Sequence, residues 1–78
     1  MDRQPKIIEL IQKVSKKDVR PAPDESLFDS GILDSFALAD LVAALEKEFA
    51  IRIPDSDLNP RKFDSVERIA EYLDSRSN

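Results

Sequence analysis

From Leu38 to Phe49 the apolar side chains Leu38, Leu41, Val42, Leu45 and Phe49 fall at i, i+3, i+4, i+7 and i+11. Only an α-helix gathers those positions on one face, and so apolar a face must be buried against another element. Two more stripes repeat the pattern. Ile7, Ile8, Leu10, Ile11 and Val14 mark a helix over residues 5–16. Its first turn tolerates Pro5, and Lys16 and Lys17 lie near the negative end of its dipole. Val66, Ile69, Ala70 and Leu73 mark a last helix, with Asp64 and Glu67 at the spacing of a capping box. A single glycine, Gly31, argues against a turn-rich all-β chain. The predicted class is all-α, with three long amphipathic helices forming a small bundle.

The connections differ in kind. RPAPDES, with two prolines and no periodicity, begins a long loop between the first two helices. Leu27, Phe28, Ile32 and Leu33 make that loop too apolar to float, and they are expected to pack down as partial core. After the central helix, IRIPDSD alternates briefly and breaks at Pro54, and Asp55–Leu58 has room for one short helical turn before Pro60.

Seventy-eight residues make one domain, 1–78, near the lower limit for a chain held by one hydrophobic core. With neither cysteine nor histidine, it has no disulfide and lacks the usual zinc and haem ligands. No segment has the apolar length of a membrane span. The charged start MDRQPKIIELIQKVSKK lacks the apolar run and cleavage site of a secretion signal, and the chain reads as soluble and cytoplasmic. Charge is unevenly placed: residues 1–20 sum to +3, residues 21–58 to −7 and residues 59–78 to zero. The acidic middle repels nucleic acid and anionic membrane and favours basic protein surfaces.

Catalytic equipment is sparse. The DSDLN stretch at 55–59 imitates the start of a calcium loop, but Pro60 stands where that loop needs glycine, and Val66 where it needs glutamate. No metal site is expected. There is no glycine-rich phosphate cradle, and a small helical chain leaves little room for a substrate cleft. Ser35, in GILDSFALADL, has no histidine to take its proton and is not read as a nucleophile. Two roles remain for it. Asp34 or Ser35 can cap the helix by accepting a free backbone N–H. Alternatively, Ser35 can carry an esterified phosphate, an anion that a helix N-terminus favours. Asp40, Glu46 and Glu48 follow on the same helix, and they would present such a serine on a negative face.

At this point the chain resembles the acyl carrier protein family, the phosphopantetheine-binding domains. LFDSGILDSFALADLVAALEKEFAIRIPDSDL and the closing FDSVERIAEYL carry the resemblance, in the family's order and spacing from about Ile7 to Leu73. It implies a four-helix bundle with three longer helices, a very short third helix and a long loop between the first two. It also implies that Ser35 bears a covalent 4′-phosphopantetheine arm, installed from coenzyme A by a phosphopantetheinyl transferase. The arm's thiol, not a protein side chain, would hold an acyl or aminoacyl group as a thioester, which accounts for the missing cysteine and histidine.

Position by position, Asp34 and Ser35 match the attachment motif. Asp40 and Glu46 match the acidic face offered to partners, and Phe36 takes the place of the apolar residue after the serine. The implied protein is a monomeric, non-catalytic carrier. Its partners would be the transferase, an acyl or aminoacyl ligase or acyltransferase, and downstream acyl-using enzymes. Ala37 stands where carriers of fatty-acid synthesis usually have an acid, Lys47 interrupts the acidic end of the helix, and GILDSF lacks the paired glycines of peptide-synthetase carriers. That pattern looks more like freestanding carriers served by a dedicated AMP-forming ligase, such as D-alanyl carrier proteins. The alternative of another class is a non-enzymatic helical interaction module with an acidic partner-binding face, in which Ser35 is only a cap.

Overall fold

The computed structural model describes residues 3–76. Among these residues three α-helices are joined by two irregular connections: α1 (Gln4–Ser15), α2 (Ser35–Phe49) and α3 (Val66–Arg76). The expected short turn is a single 3₁₀ turn at Asp55–Asp57, so the fourth helix of the bundle is reduced to its minimum. No strand occurs among the described residues.

Each helix buries the stripe its sequence carries. Ile7, Leu10 and Ile11 of α1, Leu38, Leu41, Val42 and Leu45 of α2, and Val66, Ile69 and Leu73 of α3 all enter one core. Phe49, at the end of its stripe, stays half-buried under the guanidinium of Arg3, 5.9 Å from the ring centroid. Among the described residues α1 packs against both other helices, while the backbones of α2 and α3 do not approach each other closely. The connections complete the core instead, with Leu27 and Leu33 from the first and Ile53 and Phe63 from the second. Burying one such side chain contributes roughly 1.5–3 kcal/mol. That is comparable to the backbone entropy of ordering one or two loop residues, about 1–2 kcal/mol each.

Side chains then fix both connections. The Ser26 hydroxyl donates to Asp64 Oδ1 at 2.7 Å, and the Leu27 amide donates to the Asp64 carbonyl at 2.6 Å. Asp64 is therefore a staple for the long loop and not the cap of α3. The cap is the neighbouring buried Ser65, whose Oγ accepts from Arg68 N at 3.1 Å, so the expected capping box with Glu67 does not form. The 3₁₀ turn is tied to α3 by Asp57, which accepts from the Tyr72 hydroxyl at 2.6 Å and from Lys62 Nζ at 3.0 Å. These bonds, that from Tyr72 foremost, hold the Asp57 carboxyl below its ordinary value. Burial, and then the bond to Asp57, pushes the Tyr72 hydroxyl up to about 12. Tyr72 also leans on the buried Phe63 ring, centroid to centroid 5.1 Å.

Helices α1 and α2 both end on non-glycine residues in the left-handed region, Lys16 at φ 57° and Ala50 at φ 53°. The one glycine is used elsewhere, at Gly31 with φ 81°, inside the loop that leads to α2.

Candidate functional site

The approach to α2 is a compact turn anchored at both ends. Leu27 and Leu33 are buried, and the Leu33 amide donates to the Leu27 carbonyl at 3.0 Å. Between them Ser30 N bonds the Ser26 carbonyl at 3.0 Å and Gly31 N bonds the Phe28 carbonyl at 3.1 Å. The positive φ at Gly31 makes this reversal compatible with the chain's direction at low cost. Phe28 and Ile32 lie half-buried against the core, as the apolar content of the loop requires. The residues that follow thus leave the core from a fixed point.

Asp34 is extended, at φ −133° and ψ −173°, and serves as the N-cap of α2. Its Oδ1 accepts from Ala37 N at 2.8 Å, and its carbonyl accepts the first helical bond, from Leu38 N, at 2.8 Å. Of the two capping candidates in the sequence the aspartate is therefore the one employed. Ser35 opens the helix, is exposed, and its hydroxyl makes no hydrogen bond among the described residues. The amides of Ser35 and Phe36 likewise have no protein acceptor there, as expected for the first turn of a helix. A hydroxyl free of structural duty beside unpaired amides and the positive end of a dipole suits a phosphate ester. The residues present fit a covalent phosphopantetheine.

The remaining candidates separate on inspection. Phe36 is 85% exposed, a large apolar side chain held out beside the serine. Asp40 is exposed on the same helix. Glu46 is half-buried, and its Oε2 accepts from Ile53 N at 2.8 Å, so this carboxylate holds the chain leaving α2 against the helix. Glu48 is within 3.8 Å of Lys6 on α1. Phe36 and Asp40 stand free at the serine's end, whereas Glu46 is tied into the fold.

One part of the site escaped sequence reasoning. An open cleft of about 420 Å³ lies beside the start of α2, and its wall includes Asp34, Phe36 and Asp40 together with Val14, Lys16 and Lys17 from the end of α1. The lysines lie nearly twenty positions before the serine, and only their value to the helix dipole is visible in the sequence. No cluster of three or more potential metal ligands occurs among the described residues, and none of their helices is long and apolar enough to cross a membrane.

Similarity to known proteins extends along nearly the whole chain. The family described as "Phosphopantetheine attachment site" matches residues 5–73. The "D-alanyl carrier protein" of Streptococcus sanguinis (strain SK36) is 37% identical over 78 residues, covering 100% of this chain and 99% of that protein. The protein of the same name from Streptococcus gordonii is also 37% identical over the same span. That of Lactobacillus acidophilus is 27% identical over 78 residues, with 100% and 99% covered.

Proposed function

The chain belongs to the phosphopantetheine attachment-site family, and on that footing we propose that Ser35 bears the arm and that the cargo is an aminoacyl group, D-alanine before others. The protein itself is a carrier and not a catalyst. When bound, the arm supplies the thiol on which cargo is held as a thioester. The observation that carries the assignment of Ser35 is the division of labour at the helix start: Asp34 caps, and Ser35 keeps an exposed, unbonded hydroxyl.

The chain's own residues then do three things. Ser35 presents its oxygen at a fixed point, because Leu27 and Leu33 anchor the turn behind it. The first turn of α2 stabilises the anion formed on that oxygen through the free amides and the helix dipole. Exposed Phe36 and Asp40 offer one apolar and one acidic contact to the enzymes that must reach the serine. A carrier exchanges partners repeatedly, and weak, charge-steered contacts allow fast association and release. The partners are a phosphopantetheinyl transferase, a loading enzyme and an acceptor of the cargo. We place all of these with coenzyme A in the cytoplasm. Similarity along the full chain to proteins named for D-alanine, together with GILDSF in place of a paired-glycine motif, supports the cargo.

Loading tests this reading. The phosphopantetheinylated protein is incubated with ATP, a D-alanine–carrier ligase and D-alanine, or with an acyl-carrier ligase and a fatty acid, and its intact mass is measured. Gain of one D-alanyl residue, released by hydroxylamine, is expected. Acylation by the fatty acid with no D-alanylation would overturn the assignment of cargo.

A further inference from the structure

The basic N-terminal segment, at +3 within an otherwise acidic chain, has no part in the reading above. Its Lys16 and Lys17 line the cleft at the start of α2. Both are exposed, and neither ammonium has an ion-pair partner among the described residues. Their backbone is fixed: Lys16 adopts the left-handed cap of α1 at φ 57°, and the Lys17 amide donates to Ser15 Oγ at 3.3 Å. Asp34, Phe36 and Ala37, the immediate neighbours of Ser35, belong to the same wall, as do half-buried Val14 and Ile32. Asp34 and Asp40 balance the two lysines in charge, and the Asp34 carboxylate is already bonded to Ala37 N. The cleft thus pairs cations free of ion pairs with half-buried apolar side chains, beside the unbonded hydroxyl of Ser35.

We propose that this cleft is the resting site of the proximal half of the arm. Lys16 and Lys17 hold the phosphodiester on Ser35, and Val14, Ile32 and Ala37 receive the dimethyl-substituted carbon chain that follows it. The inference rests on the reading of Ser35 as the attachment point. A phosphodiester carries one negative charge at any pH near neutrality and is the only charged group along the arm, so charge complementarity selects it over the distal amides. Docked this way, the arm leaves the serine over the end of α1, and a partner that binds Phe36 and Asp40 draws it out.

The test compares the ¹H–¹⁵N spectra of the apo protein and of the full chain converted with coenzyme A and a transferase, with conversion verified by intact mass. Expected are shift changes at Val14–Lys17 and Gly31–Ile32 in addition to those next to Ser35. The changes at Val14–Lys17 should shrink to about half or less near 1 M salt, where the screening length is about 3 Å. The double variant Lys16→Gln, Lys17→Gln should convert fully yet lose the remote changes, whereas Lys16→Arg, Lys17→Arg and the off-cleft Lys13→Gln should keep them. Complete conversion with changes confined to residues 34–38, or remote changes that survive the glutamine pair, would overturn the cleft assignment alone. Absence of any mass gain would overturn the carrier reading, and the cleft with it.

Discussion

The Asp34 carboxylate accepts the Ala37 amide at 2.8 Å across the first turn of α2, and that bond releases the intervening Ser35 from capping. The cap and the proposed attachment point are thus adjacent side chains. Asp34→Ala should lower the unfolding free energy by about 1 kcal/mol, the usual effect of losing an N-cap. Asp34→Asn should retain most of that, and Ser35→Ala should stay within about 0.5 kcal/mol of the parent. Urea unfolding of the three variants checks this. A serine variant as unstable as Asp34→Ala would return Ser35 to the cap.

Tyr72 is the chain's only tyrosine, so its ionisation can be followed directly by ultraviolet absorbance. In the folded protein it should titrate near 12 and not near 10.0, since burial and the Asp57 carboxylate both oppose the phenolate. A folded-state value raised in this way stabilises the fold fully below about pH 10 and loses that stabilisation as the pH climbs toward 12. Asp57 acts with the opposite sign. Its lowered value means that its contribution is present above the ordinary carboxylate range and lost on acidification through the folded-state value. Tyr72→Phe should remove the alkaline loss and lessen the acid one, while lowering the thermal midpoint at neutral pH.

Glu46 and Asp40 are both acidic side chains of α2, yet they should respond differently to mutation. Glu46→Ala deprives the Ile53 amide of its acceptor at a residue only 5% exposed, which should cost about 1–3 kcal/mol. The same change should raise hydrogen exchange at Ile53. Asp40→Lys should leave stability within about 0.5 kcal/mol. It should nonetheless slow modification by the transferase, most at low salt. Unchanged rates at low salt would remove Asp40 from the docking surface.

Ala50 ends α2 at φ 53°, where an alanine Cβ is strained. Ala50→Gly should therefore stabilise by about 0.5 kcal/mol, the relief of strain exceeding the extra freedom gained by the unfolded chain. Thermal unfolding at neutral pH measures it.

The apolar period of Leu38 to Phe49 predicts a helix over 35–49, and α2 spans Ser35–Phe49. The periodic stripes of α1 and α3 are likewise legible, because a helical face must be buried wherever it lies. Leu27 and Leu33 betray themselves as core by being too apolar for a free loop. Phe63 does not: it sits alone between charged neighbours, and its burial follows from its place in the common core and against Tyr72 of α3. Asp64 reads as a cap because aspartate commonly is one, yet Ser26, far earlier in the chain, claims its carboxylate. At the site, Asp34 and Ser35 are visible as a pair, but which of them caps depends on backbone angles that composition does not encode. The tie from Glu46 to Ile53 and the meeting of Lys16 and Lys17 with the start of α2 are tertiary facts, and no local pattern announces them.

Whether Ser35 carries the arm can be read from intact mass. The purified protein and its Ser35→Ala variant are incubated with coenzyme A, Mg²⁺ and a broad-specificity phosphopantetheinyl transferase, and intact masses are recorded before and after, with fragmentation of the peptide spanning residues 34–37. One added phosphopantetheine is expected in the parent, located on Ser35, and none in the variant. A folded parent that gains no mass with several transferases, or a Ser35→Ala variant that gains it equally, would rule out Ser35 as the attachment point.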